Sequence, residues 1–349
     1  MIIDALILLL SLIILVKGSG FFVKSAASIA KRMGVSEFVI GLTLIAIGTS
    51  LPELVSAIFA SIKHESGLVM GNIVGANIAN IGLIIGIAAV ITALKTRKHM
   101  LERDGYFMIF TALLLFVFVI DSKISRIEGL FFLLLFIAYN IFLFETKPEF
   151  KQKYHFAEFI KYFYKFKYMI TIKDKIISNF NHNKIHSLEI KKIRELFRAA
   201  LFKDVLMIVF SGYIIIMSAN FLIEEAVFFA KILKVPITLI GILMSLGTTM
   251  PEMSVAVTAA RKGYGNIVIG NSIGSCLSNS LLILGIAALI FPLSVINATK
   301  YYTIPFFIFL SILFLIFVKS EWKIERKEGI IFLILYVLFL GLVFIITNI

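Results

Sequence analysis

The chain alternates between long apolar runs and short polar breaks. A helix needs about 20 apolar residues to cross a bilayer. Ten runs meet or approach that length, near residues 3–30, 37–62, 66–93, 104–121, 127–145, 203–231, 236–260, 266–292, 301–318 and 328–347. They are solidly apolar rather than alternating. They therefore predict helices and not the strands of a barrel, the other structure that satisfies its own backbone in lipid. The first run, MIIDALILLLSLIILVKGSG, has neither a basic leader nor an A-x-A site, so it reads as a retained span rather than a cleaved signal. One long polar interruption, 146–203, divides the runs into two sets of five. It contains FAEFIKYFYKFKYMI and an amphipathic stretch in which Leu188, Ile193, Leu196, Phe197 and Leu201 recur at helical spacing. The expected organisation is a first five-span half at 1–145, a basic loop with interfacial helices at 146–203, and a second five-span half at 204–349.

Composition fixes the class. Of 349 residues, 60% are hydrophobic and 16% charged, with a mean hydropathy of +1.01. A soluble domain carries about 25% charge. The expected fold is an all-α polytopic membrane protein. The net charge of +13 reads as a topology signal, because 26 of the 34 Lys and Arg fall in connections 1–2, 3–4, 5–6, 7–8 and 9–10, against 6 on the other side. Positive charge marks the cytoplasmic face. The 146–203 loop is then cytoplasmic, both termini lie outside, and no nucleic-acid partner is expected. A single cysteine, Cys276, excludes a disulfide framework and a cysteine zinc site. His182 and His186 stand four apart but read as part of a solvated loop. Glu224 and Glu225, late in the sixth run, read as an outer-interface pair.

The two halves repeat. Residues 45–86 align without a gap on 244–285, with 15 of 42 positions identical. Shared hydrophobicity could account for the aliphatic matches. It does not account for Gly48, Thr49, Pro52, Glu53, Gly71, Asn72, Gly75, Asn80 and Gly86 falling on Gly247, Thr248, Pro251, Glu252, Gly270, Asn271, Gly274, Asn279 and Gly285. Five spans is an odd number, so the second half enters the membrane from the opposite face. The result is ten transmembrane helices as two inverted five-helix repeats, with a substrate site expected at the midplane between them.

Glu53 and Glu252 lie halfway along their runs, in IGTSLPE and LGTTMPE. A carboxylate at that depth costs about 2.5–3.5 kcal/mol on insertion scales, and is kept where it is paired or faces a cavity. Neither repeat core offers a Lys or Arg, so the expected partner is a transported cation. Pro52 and Pro251 release the carbonyls four residues back. Carbonyls, hydroxyls and carboxylates are hard ligands that suit Na⁺ or Ca²⁺ and disfavour soft metals. Asn72, Asn80, Asn271 and Asn279 can line the same cavity. Two glutamates supply a charge of −2, which one Ca²⁺ or two or more Na⁺ would neutralise. This is a basis for mutually exclusive occupancy.

GTSLPE with GNIVGANIAN, GTTMPE with GNSIGSCLSN, and the upstream SAASIAKRMGVSEFVIGLTLIAIGTSLPE resemble the calcium/cation antiporter superfamily, and within it the prokaryotic sodium/calcium exchangers. The resemblance covers the cores of both halves and not the loop. It implies Ca²⁺ ligation by Glu53 and Glu252 with the carbonyls of Thr49 and Thr248. It implies Na⁺ ligation by the hydroxyls of Thr49, Ser50, Thr248, Thr249 and Ser275 and the carbonyls of Ala46 and Ser245, with Asn80 and Asn279 at the middle site. It further implies Na⁺ for Ca²⁺ antiport by alternating access in the cell membrane, with spans 1 and 6 sliding past the bundle, commonly three Na⁺ per Ca²⁺. A monomer is expected to suffice, and no cofactor. Three positions depart from the pattern: Ala76 replaces Ser, Cys276 replaces Asn, and Asn279 stands where potassium-dependent relatives carry Asp. The loss at Ala76 keeps a Ca²⁺/H⁺ antiporter using the same glutamates open. A cation channel is a further alternative. An enzyme is not expected, since neither a His nor a Lys stands near the acids.

Overall fold

The computed structural model describes residues 2–32, 49–96, 101–145, 156–164 and 191–347. In order they form α1 (Ile2–Arg32), α2 (Leu51–Ile62) and α3 (Ser66–Ile78), which passes through a π-helical turn (Ala79–Ile85) into α4 (Gly86–Ile91). Strand β1 (Leu94–Lys95) follows, then a π turn (Leu101–Gly105) leading α5 (Tyr106–Phe118), β2 (Lys123–Ile124), α6 (Arg126–Glu145) and α7 (Phe156–Tyr164). The second half holds α8 (Lys191–Leu233), α9 (Ile237–Thr248), α10 (Met250–Arg261) and α11 (Gly265–Leu277), with a π turn (Ser278–Ile283) into α12 (Leu284–Ile290). Then come β3 (Leu293–Ser294), a π turn (Thr299–Thr303), α13 (Ile304–Glu321), β4 (Lys323–Ile324) and α14 (Arg326–Thr347).

Seven helical stretches are long and apolar enough to cross a membrane, and the bent pair α9–α10 makes an eighth. The chain is a multi-pass membrane protein. Two of the ten expected runs are not in that count, for separate reasons. Residues 37–48 of the second lie outside the described residues, which leaves the 12-residue α2. The fourth, expected from 104, starts inside a π turn that carries Glu102, Arg103 and Asp104, which leaves the 13 residues of α5. Large apolar side chains such as Ile13, Phe21, Val209, Phe210, Val337 and Ile345 are exposed. A lipid-facing surface requires this.

The interior belongs to two rods. The α3–α4 stretch is 83% buried over its apolar window and the α11–α12 stretch 72%, against 22% for α1 and 33% for α8. Rod α3 crosses α9 at backbone contact. A Cβ on Gly71 would sit 2.1 Å from the Thr238 carbonyl oxygen, and one on Gly241 2.7 Å from that of Leu68. Only glycine permits that approach. Gly86 packs on Gly329, and Gly285 on Gly129, each with a carbonyl oxygen within 3.1 Å of where a Cβ would stand. These two contacts are one contact drawn twice, since the partners recur 199 and 200 residues on.

The short strands carry the same signature. β1 pairs antiparallel with β4 (Leu94 opposite Ile324, Lys95 opposite Lys323), and β2 with β3 (Lys123 opposite Ser294, Ile124 opposite Leu293). The ends of α4 and α13 therefore share one membrane face, and the ends of α5 and α12 share another. His64 stacks on Phe291 at 4.0 Å and Lys63 pairs with Glu224 at 2.9 Å, adding the α2–α3 connection and the end of α8 to the second group. The lysine and arginine distribution sorts these connections into the same two groups. Lys300 also anchors there, donating to the Ile120 carbonyl and, at 3.3 Å, to Ser122 Oγ.

The segment read as a basic loop with interfacial helices contains α7 and the start of α8. α8 starts at Lys191 and runs 43 residues without interruption. At 1.5 Å per residue that is about 65 Å, roughly twice the hydrocarbon thickness. α7 packs by Phe159 on Phe107 (4.8 Å), Tyr139 (5.5 Å) and Phe142 (5.5 Å), leaving Lys161 and Tyr164 exposed. Beside that cluster the Tyr139 hydroxyl donates to Asp104 at 2.6 Å, and Asp104 also accepts from Arg103. His182 and His186 lie outside the described residues.

Candidate cation-binding site

Both acidic motifs interrupt their helices in the same way. α9 ends at Thr248 and α10 starts at Met250, with a 40° bend between them. Thr249 at the joint has φ −80° and ψ 5°, and its counterpart Ser50 has φ −87° and ψ 14°. Pro251 and Pro52 sit in the first turn of the new helix, where a missing N–H costs nothing. The ladder resumes identically, Met253 N–H to the Thr249 carbonyl and Leu54 N–H to that of Ser50, both at 3.0 Å. Each break places a glutamate in a first turn, at the positive end of a helix dipole.

Glu53 and Glu252 are each 1% exposed. Among the described residues no basic group pairs with either. Neither oxygen of Glu53 has a hydrogen-bond partner, and Glu252 Oε2 has none. Glu252 Oε1 accepts from Ser50 Oγ at 3.1 Å. The two carboxylates are close enough to repel each other, Thr49 and Ser50 face Glu252, and Thr248 faces Glu53. The hydroxyls of each motif thus address the other motif's acid.

Ten of the eleven predicted site residues are described, and all ten are buried: Thr49, Ser50, Glu53, Asn80, Ser245, Thr248, Thr249, Glu252, Ser275 and Asn279. Ala46 lies outside the described residues. Thr249 Oγ1 donates to the Ser245 carbonyl at 2.8 Å. Both side-chain polar atoms of Asn80, Asn279 Oδ1 and Ser275 Oγ are buried without partners. The π turns that follow α3 and α11 each carry one of these asparagines near the start, Asn80 and Asn279. So many bare polar atoms in one interior are unusual, since buried polar groups are otherwise hydrogen-bonded. Their oxygens suit a hard cation.

Sequence reasoning did not reach the links between the halves. Asn77 Nδ2 donates to Ser280 Oγ at 2.8 Å, and Thr248 Oγ1 donates to Asn72 Oδ1 at 3.2 Å. Ser56 Oγ, which accepts from Asn72 Nδ2 at 3.0 Å, was not singled out. Its signal was available: a serine one turn after Glu53, on the buried face of an apolar helix. Ala76, the repeat counterpart of Ser275, is fully buried and offers a methyl where Ser275 offers a hydroxyl.

A multi-pass helical membrane protein with a dehydrated, anionic, oxygen-lined site at two matching helix breaks belongs among ion transporters. The comparisons make that class specific. The family model for sodium/calcium exchanger protein matches residues 3–145 and 203–345, and the chain belongs to that family, whose members are transporters rather than enzymes. It is 48% identical over 345 residues, 98% of this chain and 99% of the relative, to the sodium/calcium exchanger MaX1 of Methanosarcina acetivorans. An uncharacterized membrane protein of Methanocaldococcus jannaschii is 29% identical, covering 95% of this chain and 94% of its own. Among solved structures, the sodium-calcium exchanger NCX_Mj soaked with 2.5 mM Na⁺ and 10 mM Sr²⁺ is similar with a TM-score of 0.57 at 28% identity, over 97% of each chain.

Proposed function

We propose that this chain is a Na⁺/Ca²⁺ antiporter of the cell membrane working by alternating access. It is built as ten transmembrane helices in two inverted halves, 1–145 and 204–349, with 146–203 cytoplasmic and both termini outside. One observation carries the reading: two fully buried carboxylates, one from each repeat, face the same interior with no basic partner and with hydroxyls supplied crosswise. A charge of −2 in a dry site calls for a divalent cation or two monovalent ones. Ca²⁺ would be held by Glu53 and Glu252 with the carbonyls of Thr49 and Thr248. Na⁺ would use the hydroxyls of Thr49, Ser50, Thr248, Thr249 and Ser275 and the carbonyls of Ala46 and Ser245, while Asn80 and Asn279 line the middle. The names of MaX1 and NCX_Mj support the ion pair. The contacts recurring at a spacing of 199–200 residues support the inverted repeat, and the light burial of α1 and α8 supports their sliding past the rods.

The rival reading, Ca²⁺/H⁺ exchange on the same glutamates, is favoured by Ala76 alone. Purified protein in liposomes separates the two. Ca²⁺ uptake should follow an imposed outward Na⁺ gradient and saturate. Uptake that ignores Na⁺ yet follows a pH gradient would replace the first reading with the second, and sustained single-channel currents would remove both.

A further inference from the structure

The two carboxylates are not dressed alike, and a chain of hydrogen bonds on one side shows why. Ser56 Oγ donates to the Glu53 carbonyl at 3.0 Å. Its proton is thereby committed, so toward Asn72 it can only accept, and Asn72 Nδ2 donates to it at 3.0 Å. That fixes the orientation of the amide. Asn72 Oδ1 then faces Thr248, whose hydroxyl donates to it at 3.2 Å. The competing acceptor, the Ser245 carbonyl one turn back, stands at 3.4 Å. Each hydroxyl owns one proton, so a Thr248 proton held by Asn72 is withheld from Glu53. Both Glu53 oxygens are indeed bare, whereas Glu252 accepts from Ser50.

The second half has no such chain. Asn271, the repeat counterpart of Asn72, has an unpartnered Nδ2, and Val255 stands where Ser56 would be. A shared structural need of the two repeats would have produced the chain twice. All three members are nearly inaccessible, Ser56 at 1%, Asn72 at 2% and Thr248 at 0%, so water cannot substitute for a lost bond.

We infer that Asn72 is a positioning residue for cation binding, which takes the Thr248 proton so that the hydroxyl lone pairs and a bare Glu53 are presented together to the ion. A hydroxyl ligates a cation through oxygen, with its proton turned away. Without Asn72 the Thr248 proton is free to turn toward Glu53, and the ion must first break that bond. Ser56 acts one step behind, by holding the amide in register. The role rests on the proposed cation site and does not depend on which counter-ion is exchanged.

The test uses the full-length protein, with Ca²⁺ affinity measured by calorimetry in detergent and Na⁺-driven Ca²⁺ uptake measured in liposomes. Asn72→Leu should weaken Ca²⁺ binding and raise KM by about 10-fold, the lower end of what outer-shell partners of metal ligands contribute, with the maximal rate within about twofold. Ser56→Ala should move the same way by less. In the Thr248→Val background Asn72→Leu should add almost nothing, because its effect passes through that hydroxyl. Unchanged affinity in Asn72→Leu, or the full factor persisting in Thr248→Val, would overturn the assignment. If Asn72→Leu does not fold, Ser56→Ala decides, and wild-type affinity there is the overturning result. Wild-type protein that binds no Ca²⁺ would remove the transport reading and this one with it. Wild-type protein that binds Ca²⁺ with variants that match it would remove only the positioning role.

Discussion

Replacing Glu53 by Gln removes one unit of charge while keeping shape, and the structure sets the size of the effect. Glu53 is buried, unpaired and hydrogen-bonded to nothing through its carboxylate. No neighbouring donor is stranded by the change. What remains is the interaction of one negative charge with the ion. At an effective dielectric constant of about 20 and a separation of about 4 Å, unit charges attract by about 4 kcal/mol. Ca²⁺ therefore loses about 8 kcal/mol of gross attraction and Na⁺ about 4, before the lower cost of desolvating the variant site is returned. Each absolute loss is smaller than its gross figure, but the ordering survives: Ca²⁺ affinity should fall by at least the square of the factor by which Na⁺ affinity falls. The ion-free protein should gain stability, because Glu53 and Glu252 repel each other. The assay is calorimetric titration with each ion, and a thermal melt in chelator. Ca²⁺ affinity within about threefold of wild type, or a Tm that drops in chelator, would refute the view that these carboxylates form one anionic site.

Four further outcomes follow from the geometry. Gly71→Ala drives a methyl onto the Thr238 carbonyl oxygen, 2.1 Å away; backbone cannot yield as a side chain would, so the loss should reach the upper part of the roughly 1–3 kcal/mol range for overpacking, read as a fall in Tm. Ala76→Ser supplies the hydroxyl that the repeat lacks opposite Ser275, and should lower the Na⁺ concentration that half-inhibits Ca²⁺ binding. Cysteines introduced at Lys95 and Lys323, which face each other in the β1–β4 pair, should cross-link under mild oxidation, and an impermeant thiol reagent should reach either one alone only after the cells are opened. Lys323 is held protonated well above its usual range by Glu321 and Glu325, and Lys323 holds Glu325 below the ordinary glutamate value. The contribution of Glu325 is thus fully present above about pH 4.3 and is lost as pH falls through its lowered value, so a pH dependence of transport between 5 and 8 should be unchanged by Glu325→Gln.

Much of the candidate site was legible because its residue types are costly where they stand. An acid beside a proline in hydrocarbon, written twice at a fixed spacing, needs no coordinates to be noticed, and the structure buries both acids at matching helix breaks. The apolar runs marked the spans for the same reason: lipid tolerates little else. What escaped depends on relations between segments. The π turns that carry Asn80 and Asn279 follow from how the two rods pack, and a string of residues such as ANIGLII does not announce an extra residue per turn. The two-residue strands pair across halves, far apart in sequence. Asn72 was readable as a cavity-lining amide, but its link to Thr248 requires knowing which face of α3 meets the end of α9. The sixth span was expected from 203, yet α8 starts at Lys191, because the amphipathic stretch before it is helical too and nothing separates them.

The crosswise hydroxyls have a consequence for coupling. Ser50 in one half serves Glu252 in the other, and Thr248 faces Glu53, so on the proposed reading a bound ion is held by both halves at once. Any movement that changes access must carry an intact site or break it. An empty site confronts that movement with two unscreened carboxylates in a dry interior, where unit charges at short range repel by several kcal/mol. One Ca²⁺ or two Na⁺ cancel that charge. The empty ionised state is penalised, and the ion-loaded states remain, joined on the rival reading by a form with both acids protonated. A carrier that crosses readily only when its site is loaded exchanges one cation for the other, and the constraint comes from the charge of the site rather than from any gate.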